Sequence, residues 1–273
     1  MDNHSPLFTV VIPSTGGLVL KNTLLSVQQT LDCPILVVCD NTQQKNQISS
    51  IIDQSPNLQI LIGDGPGVAQ ARNFGLKAAT TRYVLFIDDD CLIEESETIH
   101  KLFEFVKSHD SYQAWGGRYR LDSPSTYWSR VYHSIQNAWL DLGLTHQQVE
   151  AQNLLGGFLV LRKDSMQLFE NSISWGGEET LLLRQLQKLG LKAALNNEVC
   201  LLHRDQSGIG KFFKRAYYQG LNRGRHQLKT SFNWSRLSVP PIQLILGWAL
   251  FFFTVIFSSA IGRYISPNKI PKP

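Results

Sequence analysis

The sequence contains few cysteines, and their positions exclude the common thiolate metal sites. None of the four, Cys33, Cys39, Cys91 and Cys200, belongs to a C-x-x-C pair or lies at zinc-finger spacing from a histidine. Cys39 and Cys200 lie in apolar, strand-like runs, where cysteine behaves as a small hydrophobic residue. We therefore expect buried, reduced thiols in a cytosolic compartment.

Other absences narrow the class of protein. The chain has no internal repeat and no low-complexity segment, and its first residues (MDNHSPLF) lack the basic and apolar regions of a signal peptide. It is 43% hydrophobic and 18% charged, as ordered globular proteins are, and its net charge of +4 favours no particular partner. A chain of 273 residues can bury one good core, with a small appendage.

Short apolar runs alternate with helix-like stretches in the first ninety residues. Runs rich in branched side chains and bounded by Gly, Pro, Asp or Asn predict strands at Leu7–Ile12, Pro34–Val38, Leu58–Ile62 and Tyr83–Ile87. Helical spacing of apolar residues predicts helices at Leu20–Thr30 and Val68–Thr80. This alternation predicts an α/β fold, a mostly parallel sheet with helices on both faces. Ligands of such sheets bind beyond the carboxyl ends of the strands.

The second half is less regular. Apolar residues at helical spacing predict a helix at Tyr127–Leu142, which either packs in the core or forms part of an acceptor site. A strand that begins with glycine is predicted at Gly156–Leu161, and another at Glu198–Leu202. Between them, a helix at Leu181–Leu189 ends at Gly190, which is a common helix stop.

The last apolar segment differs in kind, because Ile242–Ile261 contains no charged residue over 20 positions. This length matches the hydrocarbon core of a bilayer and predicts a membrane helix. An interfacial helix and a partner-binding apolar stretch are the alternatives. We therefore divide the chain into a domain at 1–230, with halves at about 1–92 and 93–230, and a membrane-associated segment at 231–273.

Three consecutive carboxylates, Asp88, Asp89 and Asp90, directly follow the predicted strand Tyr83–Ile87. Such carboxylates repel one another unless a positive partner compensates them. Mg²⁺ and Mn²⁺ prefer oxygen ligands and share them with substrate phosphates. The motif therefore indicates a divalent-cation site, with an acidic turn or helix N-terminus as the structural alternative.

Two further segments follow strands in the same way. Asp40 comes after Pro34–Val38 and can accept hydrogen bonds from a base or ribose, or it can belong to an ordinary Asp-Asn turn. Gly65-Pro66-Gly67 opens the next helix, where backbone N–H groups and Arg72 can attract phosphate. The spacing matches neither the phosphate-loop motif nor the dinucleotide G-x-G-x-x-G motif.

The remaining candidates lie in the second half. Glu178 and Glu179 stand in a first helical turn, where they either cap the helix or supply a general base. His203 follows a strand and can reach a metal or pyrophosphate, although a lone histidine is often structural. The basic, aromatic stretch from Lys211 to Lys229 favours an anionic membrane surface, with a part in gripping a diphosphate. No nucleic-acid-binding module surrounds it, so we expect no nucleic-acid partner.

Five segments stand together in an order that resembles glycosyltransferase family 2, which has the GT-A fold. The resemblance covers roughly residues 8–225, and its most specific stretch, at 67–90, ends in the D-x-D metal motif of the family. The segments are TVVIPSTGG, LVVCDN, GVAQARNFGLKAATTRYVLFIDDD, GGFLVLRKD and WGGEETLLLRQLQKLG.

The resemblance implies an inverting, metal-dependent transfer of a sugar from a nucleotide-diphosphate donor. It implies a UDP-sugar as donor and a saccharide or lipid-linked acceptor. The need for a nucleotide sugar favours catalysis at the cytoplasmic face of a membrane. So does a small excess of basic residues before the apolar segment (Arg223, Arg225, Lys229 and Arg236) over those after it (Arg263, Lys269 and Lys272). The family's catalytic aspartate corresponds to Glu179, with Glu178 as its acidic neighbour. The implied donor-binding residues are Pro13, Asp40, Arg72, Asp88 and Asp89. The implied metal ligands are Asp90, Asp88 and His203, and the acceptor residues are Gly156, Gly157 and Trp175.

The sequence departs from the family pattern at two points. Glu179 is one methylene longer than aspartate, which leaves room for a carbohydrate- or nucleotide-binding homologue without turnover. The Q-x-x-R-W signature of processive members is absent, because the corresponding region reads RAYYQGLNRGRH, so we expect one sugar per encounter. A dehalogenase-like phosphatase is disfavoured, since that family needs Thr or Val where Leu92 stands and carries its acids after the first strand.

Overall fold

The computed structural model describes residues 8–53, 55–144, 149–165, 168–173, 176–227 and 240–264. In these residues the chain forms a mixed eight-stranded sheet of order β3-β2-β1-β4-β7-β6-β8-β5. The strands are β1 (Phe8–Pro13), β2 (Ile35–Cys39), β3 (Leu58–Ile62), β4 (Tyr83–Ile87), β5 (Cys91–Leu92), β6 (Ala114–Leu121), β7 (Phe158–Arg162) and β8 (Ala193–His203). The helices are α1 (Val19–Thr30), α2 (Thr42–Ile51), α3 (Val68–Ala78), α4 (Ser96–Ser108), α5 (Tyr127–Gly143), α6 (Glu178–Lys188), α7 (Ile209–Arg225) and α8 (Ile245–Gly262).

The first four strands form the parallel half of the sheet. β1 pairs with β2 and β4, and β2 pairs with β3, all in parallel. The strands β1, β2 and β4 are almost wholly buried, as expected for a parallel sheet covered on both faces. Gly75 lets α3 approach β1 closely, since a Cβ there would overlap the side chain of Val11. The predicted α/β fold is confirmed.

The second half extends this sheet by two changes of direction. β7 runs antiparallel to β4, β6 runs antiparallel to β7, and β8 is parallel to β6. β8 therefore points the same way as β4, which brings its last residue, His203, to the edge where β4 ends. Hydrophobic periodicity predicts β7 and β8, but it does not show this order.

A second, smaller core lies outside the sheet, between α5, α7 and α8. It contains Val131, Tyr132, Phe212, Trp248 and Phe251. The helix α8 therefore packs against the domain that precedes it instead of standing apart. The apolar helix predicted at 242–261 begins with a 3₁₀ turn at Ile242–Leu244. It ends at Gly262, one residue later than predicted.

All four cysteines are free, in agreement with the expected reduced thiols. Cys33, Cys39 and Cys91 are buried as predicted. Cys200 is only partly buried, so the expectation of burial is wrong for this residue. It lies in the outer part of β8, where exposed residues alternate with buried ones.

Candidate active site

A cleft of about 740 Å³ opens at the carboxyl edge of the parallel strands. The sheet order explains this position, because β1, β2, β4 and β8 all end at that edge. Trp175 lies outside the described residues. Every other residue that the sequence analysis selected lines the cleft: Pro13, Asp40, Arg72, Asp88, Asp89, Asp90, Gly156, Gly157, Glu178, Glu179 and His203.

The three consecutive aspartates have different partners. Asp88 Oδ1 accepts a hydrogen bond from Arg72 at 2.7 Å. Asp89 Oδ2 accepts one from the Ser14 hydroxyl at 2.6 Å. Asp90 Oδ1 lies 3.4 Å from His203 Nε2. The three carboxylates thus diverge, which relieves the repulsion that their sequence suggests.

These partners shift the pKa values in opposite directions. Burial and the neighbouring aspartate charges raise the pKa of Asp89 to about 6, although the Ser14 hydrogen bond opposes this. Burial would also raise the pKa of Asp90. The hydrogen bond and charge of His203, with Lys211 and Arg215, outweigh burial and lower it. Asp90 is therefore held as a carboxylate, unlike its neighbour Asp89, whose pKa is raised.

The donor set around Asp90 fits a hard divalent cation. One ring nitrogen of His203 and a carboxylate oxygen of Asp90 supply nitrogen and oxygen ligands, and His203 Nδ1 is buried without a hydrogen-bond partner among the described residues. Cys91 Sγ lies in the same cluster. Burial raises the pKa of this thiol well above its usual value, so Cys91 remains a neutral thiol, which is a poor ligand for Mg²⁺ or Mn²⁺.

Arg72 connects Asp88, at the end of β4, to Glu178, at the start of α6. Its buried guanidinium donates to Asp88 and, at 2.5 Å, to Glu178 Oε1 at the start of α6. Burial would lower the pKa of Arg72, but the two carboxylates outweigh burial and raise it. Gly156 and Gly157 leave room for this pair, because a Cβ at either position would overlap Arg72 or Asp88.

Glu178 and Glu179 have contrasting environments although they are adjacent. Glu178 is buried and paired with Arg72. Glu179 faces the cleft, and burial together with the charge of Glu178 raises its pKa to about 8. A carboxyl group with a pKa near neutrality can accept and release a proton under ordinary conditions.

The glycine turn before α3 holds Asp40 through a backbone hydrogen bond. The N–H group of Gly67, the residue before α3, donates to Asp40 Oδ1 at 3.2 Å. Gly67 has a φ of 106°, a conformation that favours glycine. The turn therefore fixes Asp40 at the end of β2, and Arg72 points to carboxylates rather than to an open phosphate position.

Two basic residues of α7, Lys211 and Arg215, line the cleft as well. Both contact the buried Asp205, Lys211 at 3.5 Å and Arg215 at 2.6 Å. The Arg215 guanidinium also lies 4.5 Å from the ring centroid of Tyr132. The basic, aromatic stretch indicated these two residues, whereas nothing in the sequence identified Asp205 and Tyr132 as their neighbours or Ser14 as the partner of Asp89.

Comparisons with known proteins agree with this geometry. The family model for glycosyl transferase family 2 matches residues 9–169. The comparison with curated protein sequences gave no match. Among solved structures, the chain is similar to the mannosyltransferase PcManGT from Pyrobaculum calidifontis in complex with GDP-Man and Mn²⁺. Their TM-score is 0.60 at 12% identity, over 98% of this chain and 77% of that one. S. aureus TarS 1-349 in complex with UDP-GlcNAc gives a TM-score of 0.55 at 17% identity, over 93% of this chain and 83% of that one. At these identities the likeness shows a shared fold.

Proposed function

Because the chain belongs to glycosyl transferase family 2, we propose that it is an inverting, metal-dependent and non-processive glycosyltransferase. The observation that carries this proposal is the arrangement of one cleft. A carboxyl group with a raised pKa, Glu179, and the Asp90–His203 cluster line the same cleft. The nucleotide sugars bound by PcManGT and TarS support a nucleotide-diphosphate sugar as donor.

We assign the donor to the sheet side of the cleft. Asp40 at the end of β2 accepts hydrogen bonds from the nucleoside, which we take to be uridine. Pro13 and Asp89, which line the same cleft, are also assigned to donor binding. Lys211 and Arg215 face the diphosphate and offset its charge. Arg72 acts by holding Asp88 in place, since both of its terminal nitrogens already bind carboxylates.

Asp90 and His203, with Asp88 beside them, would hold the divalent cation, Mg²⁺ or Mn²⁺. When bound there, such a cation would offset the negative charge that develops on the diphosphate leaving group. His203 is suited to this position because its ring is buried and its orientation is fixed against Tyr119, at 4.7 Å between ring centroids.

Glu179 supplies the base for the transfer. Its carboxylate accepts the proton of an acceptor hydroxyl, and the hydroxyl oxygen attacks the anomeric carbon from the face opposite the diphosphate. The carbon–oxygen bond to the diphosphate breaks as the new bond forms, so one displacement inverts the anomeric centre. Gly156, Gly157 and Trp175 are assigned to the acceptor side, and the absence of Q-x-x-R-W supports the release of product after one transfer.

The helix α8 supports an attachment to the cytoplasmic face of a membrane. Together with the preceding turn, Ile242–Gly262 is the one helix in the described ranges that is long and apolar enough to cross a membrane. Nucleotide sugars are made in the cytoplasm, and the basic residues Arg223 and Arg225 precede the helix. Arg263 follows the helix. The other basic residues in the comparison between the two sides of the helix lie outside the described residues: Lys229, Arg236, Lys269 and Lys272.

A screen of nucleotide sugars tests this function. The purified full chain is incubated with UDP- and GDP-sugars and Mn²⁺ or Mg²⁺, and the released nucleoside diphosphate is measured. We expect release with at least one donor, and loss of release in excess EDTA. Binding of a nucleotide sugar without release under any condition would instead identify a non-catalytic binding homologue.

A further inference from the structure

A second cavity, of about 680 Å³, lies beside the cleft and differs from it in character. It is enclosed by α5, α7 and α8, and its walls are mainly apolar. The side chains that form these walls include Ile135, Trp139, Leu142, Trp248, Phe252 and Ile256. No residue that we assign to the donor, the cation or the diphosphate borders this space.

The two spaces meet at Glu179. Gln136, Leu155, Gly177 and Glu179 each line both the cleft and the apolar cavity. At this junction the Gln136 Oε1 atom is buried and has no hydrogen-bond partner within the part of the chain that the structure describes. A buried amide oxygen is costly to leave unpaired, so it marks a position for a hydrogen-bond donor such as a hydroxyl group.

The cavity lies on the inner side of α8, whose outer side is also apolar. Leu246, Phe253 and Phe257 are each at least 60% exposed on this helix. Monomeric soluble proteins rarely expose an apolar stripe of this kind, whereas a helix in contact with lipid does so routinely. A hydrocarbon chain beside α8 therefore has a short path between the lipid phase and the cavity.

We propose that the acceptor is a membrane amphiphile whose polar head presents a hydroxyl to Glu179 while its hydrocarbon chain occupies the apolar cavity. This inference rests on the proposed function and selects the lipid-linked class among its acceptors. Gln136 Oε1 receives a hydrogen bond from the head, and Trp139 and Trp248 contact the chain. A free saccharide would leave the apolar walls without a partner, so the cavity favours the amphiphile.

Cross-linking tests the position of the chain without requiring turnover. The full chain in lipid nanodiscs is irradiated with dodecyl β-glucoside that carries a diazirine at the end of its alkyl chain, and adducts are mapped by mass spectrometry. We expect adducts on α5 and on the cavity side of α8, at Trp139 and Trp248. Ala260→Trp narrows the cavity at an exposed position that lines it, and Ala249→Trp is the matched control outside the lining.

We expect Ala260→Trp to reduce the cavity adducts about tenfold, since each buried methylene contributes roughly a fourfold gain in affinity. Ala249→Trp should leave them unchanged. Adducts confined to the outer side of α8, or equal losses in both variants, would overturn the proposal. Nucleotide release by donor hydrolysis is measured in the control Ala249→Trp and should not change. A wild type that gives cavity adducts but no release with any donor would contradict the proposed function and not the chain-binding cavity.

Discussion

At the scale of single residues, the site contains neighbouring carboxyl groups whose partners and pKa values differ. Glu178 is paired with Arg72, whereas Glu179 faces the cleft with a raised pKa. Asp89 and Asp90 also differ, because burial raises the pKa of Asp89 whereas His203 helps to lower that of Asp90. Adjacent acids with different environments are a common way to assign different roles within one site.

The first prediction concerns Glu179. Glu179→Gln keeps the shape of the side chain but removes the proton acceptor, so turnover should fall at least ~100-fold, the lower range for a general base. Donor affinity should change little, which isothermal titration with the nucleoside diphosphate measures. Glu178→Gln serves as the comparison. Full turnover in Glu179→Gln, together with loss of turnover in Glu178→Gln, would show that Glu178 and not Glu179 is the base.

The second prediction concerns pH. The pKa of Glu179 is raised from 4.5 to about 8, so transfer should increase as pH rises and level off above about 8. The stability of the fold should decrease over the same rise in pH. Between these two values the folded state holds a proton that the unfolded state has lost, so the free energy of unfolding falls as pH rises. Glu179→Gln should therefore gain in Tm relative to wild type between pH 5 and pH 8. A pH-independent difference in Tm would contradict the raised pKa.

The third prediction concerns the cation. Asp90→Ala removes the carboxylate next to His203, and it should abolish Mn²⁺-dependent nucleotide binding and turnover while the circular dichroism spectrum stays unchanged. Asp53→Ala, at an exposed position outside the cleft, provides the control and should behave as wild type. Undiminished activity of Asp90→Ala would exclude Asp90 as a ligand.

At the scale of elements, the contact between α7 and α8 is made by small residues. Gly220 and Gly224 are one helical turn apart on α7, and Cβ atoms there would overlap Ser258, Val255 and Ser259 of α8. Small residues at this spacing let two helix backbones approach closely, as in many membrane-embedded pairs. This contact holds the outer wall of the apolar cavity in place.

The fourth prediction follows from this contact. Gly220→Ala introduces a methyl group where α8 leaves no space, and overpacking of this kind costs about 1–3 kcal/mol. Gly210→Ala is the matched control, since nothing lies within 4 Å of a Cβ at that position of the same helix. Chemical unfolding of the two variants measures the difference. Equal stabilities would show that α8 does not pack on α7 in solution.

The elements also show what a sequence can predict and where it stops. β1 to β4 are short, rich in branched apolar side chains and bounded by turn residues, so the sequence pattern located each of them within one or two residues. No prediction was made for β6, whose Trp115-Gly116-Gly117 core does not read as an apolar run. The helix α2 is polar and buries only Ile48, so it gives little periodic signal. The meeting of His203 with Asp90 depends on long-range strand order, which local patterns do not encode.

At the scale of the whole molecule, the packing of α8 constrains how the protein meets a membrane. α8 and α7 run side by side in the same direction, with Phe251 against Phe212 and Ser258 against Gly220. α7 also carries Lys211 and Arg215 into the polar cleft. A spanning α8 would therefore pull charged residues and the cleft itself towards the hydrocarbon core, which is costly.

The helix α8 is instead expected to lie in the plane of the membrane, with its outer face in the acyl boundary and its inner face on the catalytic domain. Both ends of the helix should then be on the cytoplasmic side. Gln243 and Tyr264 are exposed at these ends, and Tyr264 is 90% exposed. Cysteines placed there in a Cys200→Ser background are treated with a membrane-impermeant maleimide in sealed vesicles whose cytoplasmic face is outward. Equal labelling of Gln243→Cys and Tyr264→Cys without lysis is the expected result. Labelling of Tyr264→Cys only after lysis would establish a spanning helix and would refute the in-plane arrangement.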